Sequence, residues 1–181
     1  MAKKHKIIII GAGFGGITLA KSLRSNKIEV LLIDQNNYHN FQPLMYQIAT
    51  GGLEPYSIAY PVRRIFRNRD NIRFRMTKVK SVNTDAKKIK TSVGSFEYDY
   101  LIIATGSQSN FYDFDSIKNI LFPLKSIPDA LNMRSFIFQN LEKSLTKQSD
   151  ESLEEILNIA IVGGGPAGIE LAGALAEMKQ F

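Results

Sequence analysis

A six-residue glycine pattern occurs twice in this chain, each time behind an apolar run rich in β-branched residues. The first copy is Gly11-Ala12-Gly13-Phe14-Gly15-Gly16, after the isoleucines at 7–10. The second is Gly163-Gly164-Gly165-Pro166-Ala167-Gly168, after residues 159–162. An unbroken β-branched run predicts a strand buried on both faces of a parallel sheet. The glycines predict a sharp passage from that strand into a helix. Gly11 permits the tight turn, Gly13 lets the backbone approach a pyrophosphate, and Gly16 lets the helix lie close on the strand. The helix N-terminus then offers N–H groups and partial positive charge to phosphates. The fold class is therefore α/β, with two Rossmann-like dinucleotide-binding units.

Context separates the two copies. The first has a strand before it, a helix over about 15–24 with Ala20 as a small contact residue, and a second buried strand at 28–33. That strand ends on Asp34, twenty-three residues after Gly11, where an acid accepts the hydroxyls of an adenosine ribose. The alternative is a tight turn with a surface aspartate. The second copy has a strand expected at 159–162 and a helix at 167–178, with Ala172 matching Ala20. No acid closing a following strand lies within the sequence. Glu170 is expected in the first turn of that second helix, where a carboxylate is favoured by the helix dipole.

Between the copies the pattern is mixed. Residues 36–61 read as a loop broken at Gly51-Gly52, and residues 58–66 as a short helix. Residues 71–98 read as short alternating strands, with turns at Asn83-Thr84-Asp85 and Gly94-Ser95. Another buried strand at 101–104 leads into Thr105-Gly106. Residues 107–125 read as a connection between domains. A helix then begins with Ser126 as N-cap and Asp129 three residues later, a capping-box variant. Ala130, Ile137, Phe138, Leu141 and Leu145 follow at helical spacing and predict core packing. Residues 146–155 read as a linker or short helix.

Composition excludes several kinds of chemistry. The chain has no cysteine, so disulfides, thiolate metal sites and thiol redox chemistry are absent. His5 and His39 are its only histidines, and two separated histidines make no metal site. No nucleophile, catalytic triad or metal is required by the reading, and no metal site is expected. No apolar run approaches the roughly 20 residues needed to cross a bilayer, so the chain as given is expected to be soluble. The net charge of +6 is concentrated: Arg63, Arg64, Arg67, Arg69, Arg73, Arg75, Lys78, Lys80, Lys87, Lys88 and Lys90 face only Asp70 and Asp85 within residues 61–90. A solvated helix face and hairpin is the favoured account of such a run; attraction to an anionic membrane surface is the alternative. No recognised nucleic-acid motif accompanies the charge, and no nucleic-acid partner is expected.

The stretch Asn37-Tyr38-His39-Asn40-Phe41-Gln42-Pro43-Leu44-Met45-Tyr46-Gln47-Ile48-Ala49-Thr50-Gly51 is far more specific than the glycines. It resembles the segment written NYHxFxPLLYQVATG in type II NADH:quinone oxidoreductases, the single-subunit NADH dehydrogenases. The likeness continues through residues 61–67, Tyr98-Asp99-Tyr100-Leu101-Ile102-Ile103-Ala104-Thr105-Gly106 and residues 163–177. The resemblance implies two dinucleotide-binding domains of the glutathione-reductase, or pyridine nucleotide-disulfide oxidoreductase, type. One would hold FAD (residues 1–115, with an inserted β-hairpin at about 71–98) and one NADH (residues 116–181, incomplete). It implies that Gly11, Gly13, Phe14, Gly15, Gly16 and Asp34 hold the FAD pyrophosphate and ribose, and that Val79 meets the adenine through its backbone. Ala104, Thr105 and Gly106 would lie near the same cofactor. Pro43, Leu44 and Gln47 would flank the flavin ring. Gly163, Gly164, Gly165, Pro166 and Gly168 would face the NADH phosphates, and Glu170 would serve catalysis near the nicotinamide–flavin contact.

The activity so implied moves a hydride from NADH to the flavin and two electrons on to a quinone, without proton pumping. The cofactors carry the hard chemistry and the protein supplies position and electrostatics. Quinone, an anionic membrane surface and a homodimer are the implied partners, with a peripheral location on the cytoplasmic side of the inner membrane. Family members run to roughly twice this length, so an N-terminal fragment, inactive alone and weak in FAD retention, is expected. Disulfide reductases of the same fold carry redox cysteines in the regions covered here, and none is present. Ferredoxin- or rubredoxin-type reductases and a non-catalytic nucleotide-binding fragment remain as alternatives.

Overall fold

Strand β1 (His5–Ile10) explains why four isoleucines stand in a row. Alternate residues of a strand point to opposite faces, and both faces of β1 are covered. Ile7 and Ile9 pack with Val30, Leu32, Ile17, Ala20, Val62, Phe66 and Ile72 on one side. Ile8 and Ile10 pack with Ile33, Ile89 and Tyr98 on the other. Burying each such side chain contributes roughly 1.5–3 kcal/mol, which offsets the ordering of a central strand. The computed structural model of the protein describes residues 4–111, 115–146 and 150–179.

Residues contact one another in two compact units. The first comprises the described chain through Asn40 together with Ala59–Ser107. Here β1 is followed by helix α1 (Phe14–Ser22) and strand β2 (Ile28–Asp34). After a short antiparallel pair, β3 (Tyr38–Asn40) with β4 (Ala59–Pro61), come α3 (Val62–Ile65) and strand β5 (Ile72–Met76). Strand β9 (Tyr100–Ile103) completes a parallel sheet of order β5-β2-β1-β9. Strands β6 (Val79–Asn83), β7 (Lys88–Thr91) and β8 (Gly94–Glu97) form a separate antiparallel meander. Its Ile89 is fully buried against the second face of the parallel sheet. Layers of helix, parallel sheet and antiparallel meander result.

The second unit comprises Phe41–Ile58 and the described residues from Gln108 onward. Helix α2 (Met45–Ala49) buries Met45, Ile48 and Ala49 against Ala130, Met133 and Ile137 of α4 (Ile127–Ser144) and Leu171 of α6 (Pro166–Met178). This packing places residues 41–58 with the later part of the chain, although the sequence reading assigned them to the first 115 residues. The capping box at Ser126 forms as expected: Asp129 N donates to Ser126 Oγ at 3.3 Å, and Ser126 N to Asp129 Oδ2 at 2.8 Å. Helix α5 (Asp150–Leu157) occupies most of the expected linker. Residues 112–114, within the expected domain connection and beside its boundary at 115, and residues 147–149 lie outside the described residues.

Four local expectations are corrected. The loop at 36–61 contains the β3–β4 pair and α2, because Tyr38, His39 and Asn40 find backbone partners in Pro61, Tyr60 and Ala59. The helix at 58–66 is shorter for the same reason, with β4 using its first residues. The apolar stripe of α4 splits: Ala130 and Ile137 are buried, whereas Phe138, Leu141 and Leu145 are exposed at 38%, 42% and 80%. Residues 159–162 form no strand among the described residues. Nothing pairs with them there, and Val162 is 90% exposed.

Candidate functional site

The first glycine turn is fixed from every side by the strands around it. Gly11 N donates to Ile33 O of β2 at 2.7 Å, and Ala104 N donates to Ile10 O at 2.7 Å as β9 ends alongside. Gly11 adopts φ +108°, a conformation L side chains rarely take, and a Cβ there would overlap the Ala104 carbonyl oxygen. Gly16 lies in α1, and a Cβ on it would overlap the Gly11 carbonyl oxygen. The roles read from the sequence for Gly11 and Gly16 thus have direct counterparts in the packing.

Asp34 closes the turn. Its Oδ2 accepts from Ala12 N at 2.7 Å and its Oδ1 from Asn36 N at 2.8 Å, while its backbone oxygen accepts from Thr77 N at 2.8 Å. The carboxylate is half-buried, and each oxygen retains acceptor capacity beyond the single bond it makes. Tyr38 follows on β3. Burial, and behind it the Asp34 carboxylate, hold its hydroxyl's pKa above the ordinary phenol range. His39 sets Nδ1 3.1 Å from Ala12 O, and its ring meets Phe14 edge-on with centroids 4.9 Å apart.

The start of α1 has no filling of its own. Its N-cap Gly13 offers no side chain, no acidic residue lies in the first turn, and Cβ atoms built on Gly13 or Gly15 would meet nothing within 4 Å. A helix N-terminus left without cap or carboxylate accepts an anion. With Asp34 twenty-two residues from Ala12 in sequence but bonded to it in space, the residues fit a dinucleotide carrying a pyrophosphate and a ribose. Gly11, Gly13, Phe14, Gly15, Gly16, Asp34 and Ala104 are brought together around this turn; Thr105 N would come within 3.1 Å of a Cβ on Gly11. Gly106 follows at φ +70° and is exposed. Val79 opens β6, two residues after the Thr77 that bonds Asp34.

The second copy repeats the local geometry closely. Gly163 has φ +110°, and Gly165 caps α6 with φ −75° and ψ 174°, against φ −75° and ψ −169° at Gly13. A Cβ on Gly168 would overlap the Gly163 carbonyl oxygen, as Gly16 does with Gly11. The surroundings differ. A Cβ on Gly163 would meet nothing within 4 Å, because no strand runs beside it among the described residues. Ala172, expected to match the buried Ala20, is exposed. Gly164 and Pro166 are exposed in the same turn.

Pro43, Leu44 and Gln47 lie in the second unit, Pro43 and Leu44 in a short 3-10 turn and Gln47 in α2, with Gln47 Nε2 donating to Tyr46 Oη at 3.1 Å. Glu170 is exposed on α6 and lies beyond its first turn, which holds no acidic residue. The helix-dipole account of Glu170 therefore fails, since that effect fades within the first turn. The sequence motifs give Ala12 and His39 no role of their own. Ala12 is the spacer of a glycine pattern, and only the fold brings His39 onto its carbonyl.

Arg69 also departs from its sequence reading as part of a solvated basic run. It is half-buried and donates to Lys21 O and Leu23 O, at 3.1 and 2.7 Å, at the end of α1. The other ten basic side chains of that run are exposed. Arg63 lies over the Phe74 ring at 5.0 Å, and Arg73 pairs with Glu29 at 3.7 Å. Among the described residues, no group of His, Cys, Asp or Glu side chains could hold a metal ion, and no helix is long and apolar enough to cross a membrane.

Comparison with known proteins agrees with this geometry. Residues 5–180 match the family described as pyridine nucleotide-disulphide oxidoreductase. The type II NADH:quinone oxidoreductase NdhA of Mycobacterium tuberculosis is 33% identical over 98% of this chain. A solved structure of NDH2 from Plasmodium falciparum in complex with NADH superimposes with a TM-score of 0.89, at 30% identity over 98% of the chain. NADH:rubredoxin oxidoreductase from Clostridium acetobutylicum matches with a TM-score of 0.72, at 25% identity over 97% of the chain and 43% of its own. The chain spans 38% of the length of NdhA and of the Plasmodium protein.

Proposed function

Since the chain belongs to the pyridine nucleotide-disulphide oxidoreductase family, we propose that its first glycine turn holds FAD and its second holds NADH. The protein carrying both would pass electrons from NADH through the flavin to a quinone. The observation that carries this reading is the uncapped start of α1 joined to Asp34 through the Ala12 N–H. The match to NdhA and to the NADH-bound NDH2 structure favours a quinone over rubredoxin as the electron acceptor. FAD, when bound, supplies a ring that accepts hydride and releases electrons singly or in pairs.

The chain's own residues bind and orient. The α1 N-terminus and the Gly13 backbone receive the pyrophosphate, and Asp34 receives the ribose hydroxyls through its remaining lone pairs. Val79 takes the adenine, and Ala104, Thr105 and Gly106 border the same cofactor. The turn from Gly163 to Gly168 presents a second uncapped helix to the NADH phosphates. Pro43, Leu44 and Gln47 flank the flavin ring, and Glu170 acts where nicotinamide and flavin meet. The exposed arginines of α3 and β5 and lysines of β6 and β7 favour a peripheral position on an anionic, cytoplasm-facing membrane surface, each contributing on the order of 1 kcal/mol. A homodimer is part of the same reading.

Anaerobic addition of NADH to the FAD-loaded full-length protein tests the core of this proposal, the chain alone being expected inactive. Bleaching of the flavin absorbance, followed by its return when a soluble quinone is added, is the expected result. A flavin that stays oxidised in excess NADH refutes it. Flotation with anionic against neutral liposomes tests the surface, and equal recovery counts against it.

A further inference from the structure

His39 is not needed by the pyrophosphate account so far, yet its contacts are specific. Its partner, the Ala12 carbonyl oxygen, can only accept a hydrogen bond, so Nδ1 must carry the hydrogen. The other side of Ala12 is held as well, its N–H donating to Asp34 Oδ2 at 2.7 Å. Ala12 itself is 2% exposed. Two side chains from the end of β2 and from β3 thus grip both polar groups of one residue in the middle of the turn.

The consequence follows from peptide geometry. In a trans peptide the carbonyl and the next N–H point in opposite directions, and the protein contains no cis bond among its described residues. Tying the Ala12 carbonyl to His39 therefore aims the Gly13 N–H away from His39. Gly13 is exposed and a Cβ built on it meets nothing within 4 Å, so the residue stands open to a ligand.

We infer that His39 is a positioning residue which, through its Nδ1–H bond to the Ala12 carbonyl, orients the Ala12–Gly13 peptide so that the Gly13 N–H faces the dinucleotide pyrophosphate. The inference rests on the proposed FAD reading of this turn. The edge-on Phe14 ring keeps the imidazole plane in place. Protonation of Nε2 leaves the Nδ1 donor unchanged, so the orientation holds in either charge state of the ring.

Two substitutions separate the donor from the ring. His39→Asn carries an amide nitrogen where Nδ1 lies, and His39→Phe keeps an aromatic ring against Phe14 but donates nothing. Each full chain is titrated with ADP and with adenosine, followed by NMR, and the imidazole nitrogens of the ligand-free wild type are examined by 15N correlation. The expected results are an Nδ1–H tautomer in the neutral ring and ADP binding about tenfold weaker in His39→Phe, the size of one weakened bond to a phosphate. Adenosine binding stays unchanged in both variants, and His39→Asn binds ADP within about twofold of wild type. Equal losses for ADP and adenosine, an Asn variant as weak as the Phe variant, or an Nε2–H tautomer overturns the inference. A wild type that binds neither ligand overturns the FAD reading as well, whereas normal wild-type binding with unaffected His39→Phe overturns the inference alone.

Discussion

Gly16→Ala puts the helix-on-turn packing to a sharp test, because local and tertiary effects oppose each other. In an isolated helix alanine is favoured over glycine by about 1 kcal/mol. Here the new Cβ would overlap the Gly11 carbonyl oxygen and lie 3.0 Å from the Gly11 carbonyl carbon and 3.4 Å from Ile9 Cγ2. Gly11 cannot yield easily, since its N–H is bonded to Ile33 and its φ is +108°. Both overlapping groups are backbone, so relief requires α1 to move off β1 and the Ile17 and Ala20 contacts to loosen. That places the cost at the upper end of overpacking, about 3 kcal/mol. The net loss is about 2 kcal/mol, or a Tm roughly 4–8 °C lower for a chain of this size.

Gly13→Ala, three residues earlier, is the control. Its φ of −75° suits alanine and its Cβ meets nothing within 4 Å. The lost N-cap preference and the reduced entropy of the unfolded chain nearly cancel, leaving stability within about 1 kcal/mol of wild type. The same Cβ projects into the side proposed for the pyrophosphate, so FAD binding falls while the fold survives. Thermal denaturation by circular dichroism, with hydrogen exchange of the β1 amides as a local report, measures both variants. A Gly16→Ala chain as stable as wild type or more so would refute the packing argument, as would matching losses in the two variants.

Other substitutions give independent checks. Ile48→Ala empties a fully buried position in the second-unit core and is expected to cost about 2–5 kcal/mol in urea denaturation; a loss below 1 kcal/mol would place α2 outside that core. Arg69→Ala removes two donors from the end of α1 and is expected to destabilise the chain by about 1–3 kcal/mol, measured the same way. Glu170→Gln is expected to leave Tm within about 1 °C, since Glu170 is exposed and beyond the dipole's reach, while slowing NADH bleaching of the flavin; a large Tm change would return it to a structural role. For Tyr38, the folded pKa is raised, so its neutral form is favoured in the fold. That contribution is complete below about pH 10 and is lost as pH rises through the folded value. Tyr38→Phe is therefore expected to flatten the alkaline fall in stability, and an unchanged alkaline limb would contradict this.

Much of the first unit was legible because its signals are local. Isoleucines in a row, a glycine turn and an acid at the next strand's end each follow from the residues themselves, and the capping box at Ser126 needs only a spacing of three. What escaped the sequence depends on distant partners. Tyr38, His39 and Asn40 look like loop until Ala59, Tyr60 and Pro61 are placed beside them. Phe138 belongs to the helical stripe of α4, yet its ring lies against Gly51, with a Cβ on that glycine falling 2.7 Å from Phe138 Cζ. Residues 159–162 carry the composition of a buried strand, but composition supplies no neighbouring strand. Arg69 reads as one charge in a run, and only the fold carries its guanidinium to the end of α1.

The central claim is that the turn at Gly11–Gly16, closed by Asp34, holds the ADP half of FAD. Competitive binding to the purified chain tests it most directly, with FAD, ADP and FMN titrated separately and against one another. The account predicts that FAD binds at one site per chain, that ADP displaces it, that FMN does not, and that Gly13→Ala weakens both FAD and ADP binding. FMN competing as well as ADP, or FAD binding undisturbed by Gly13→Ala, would contradict it.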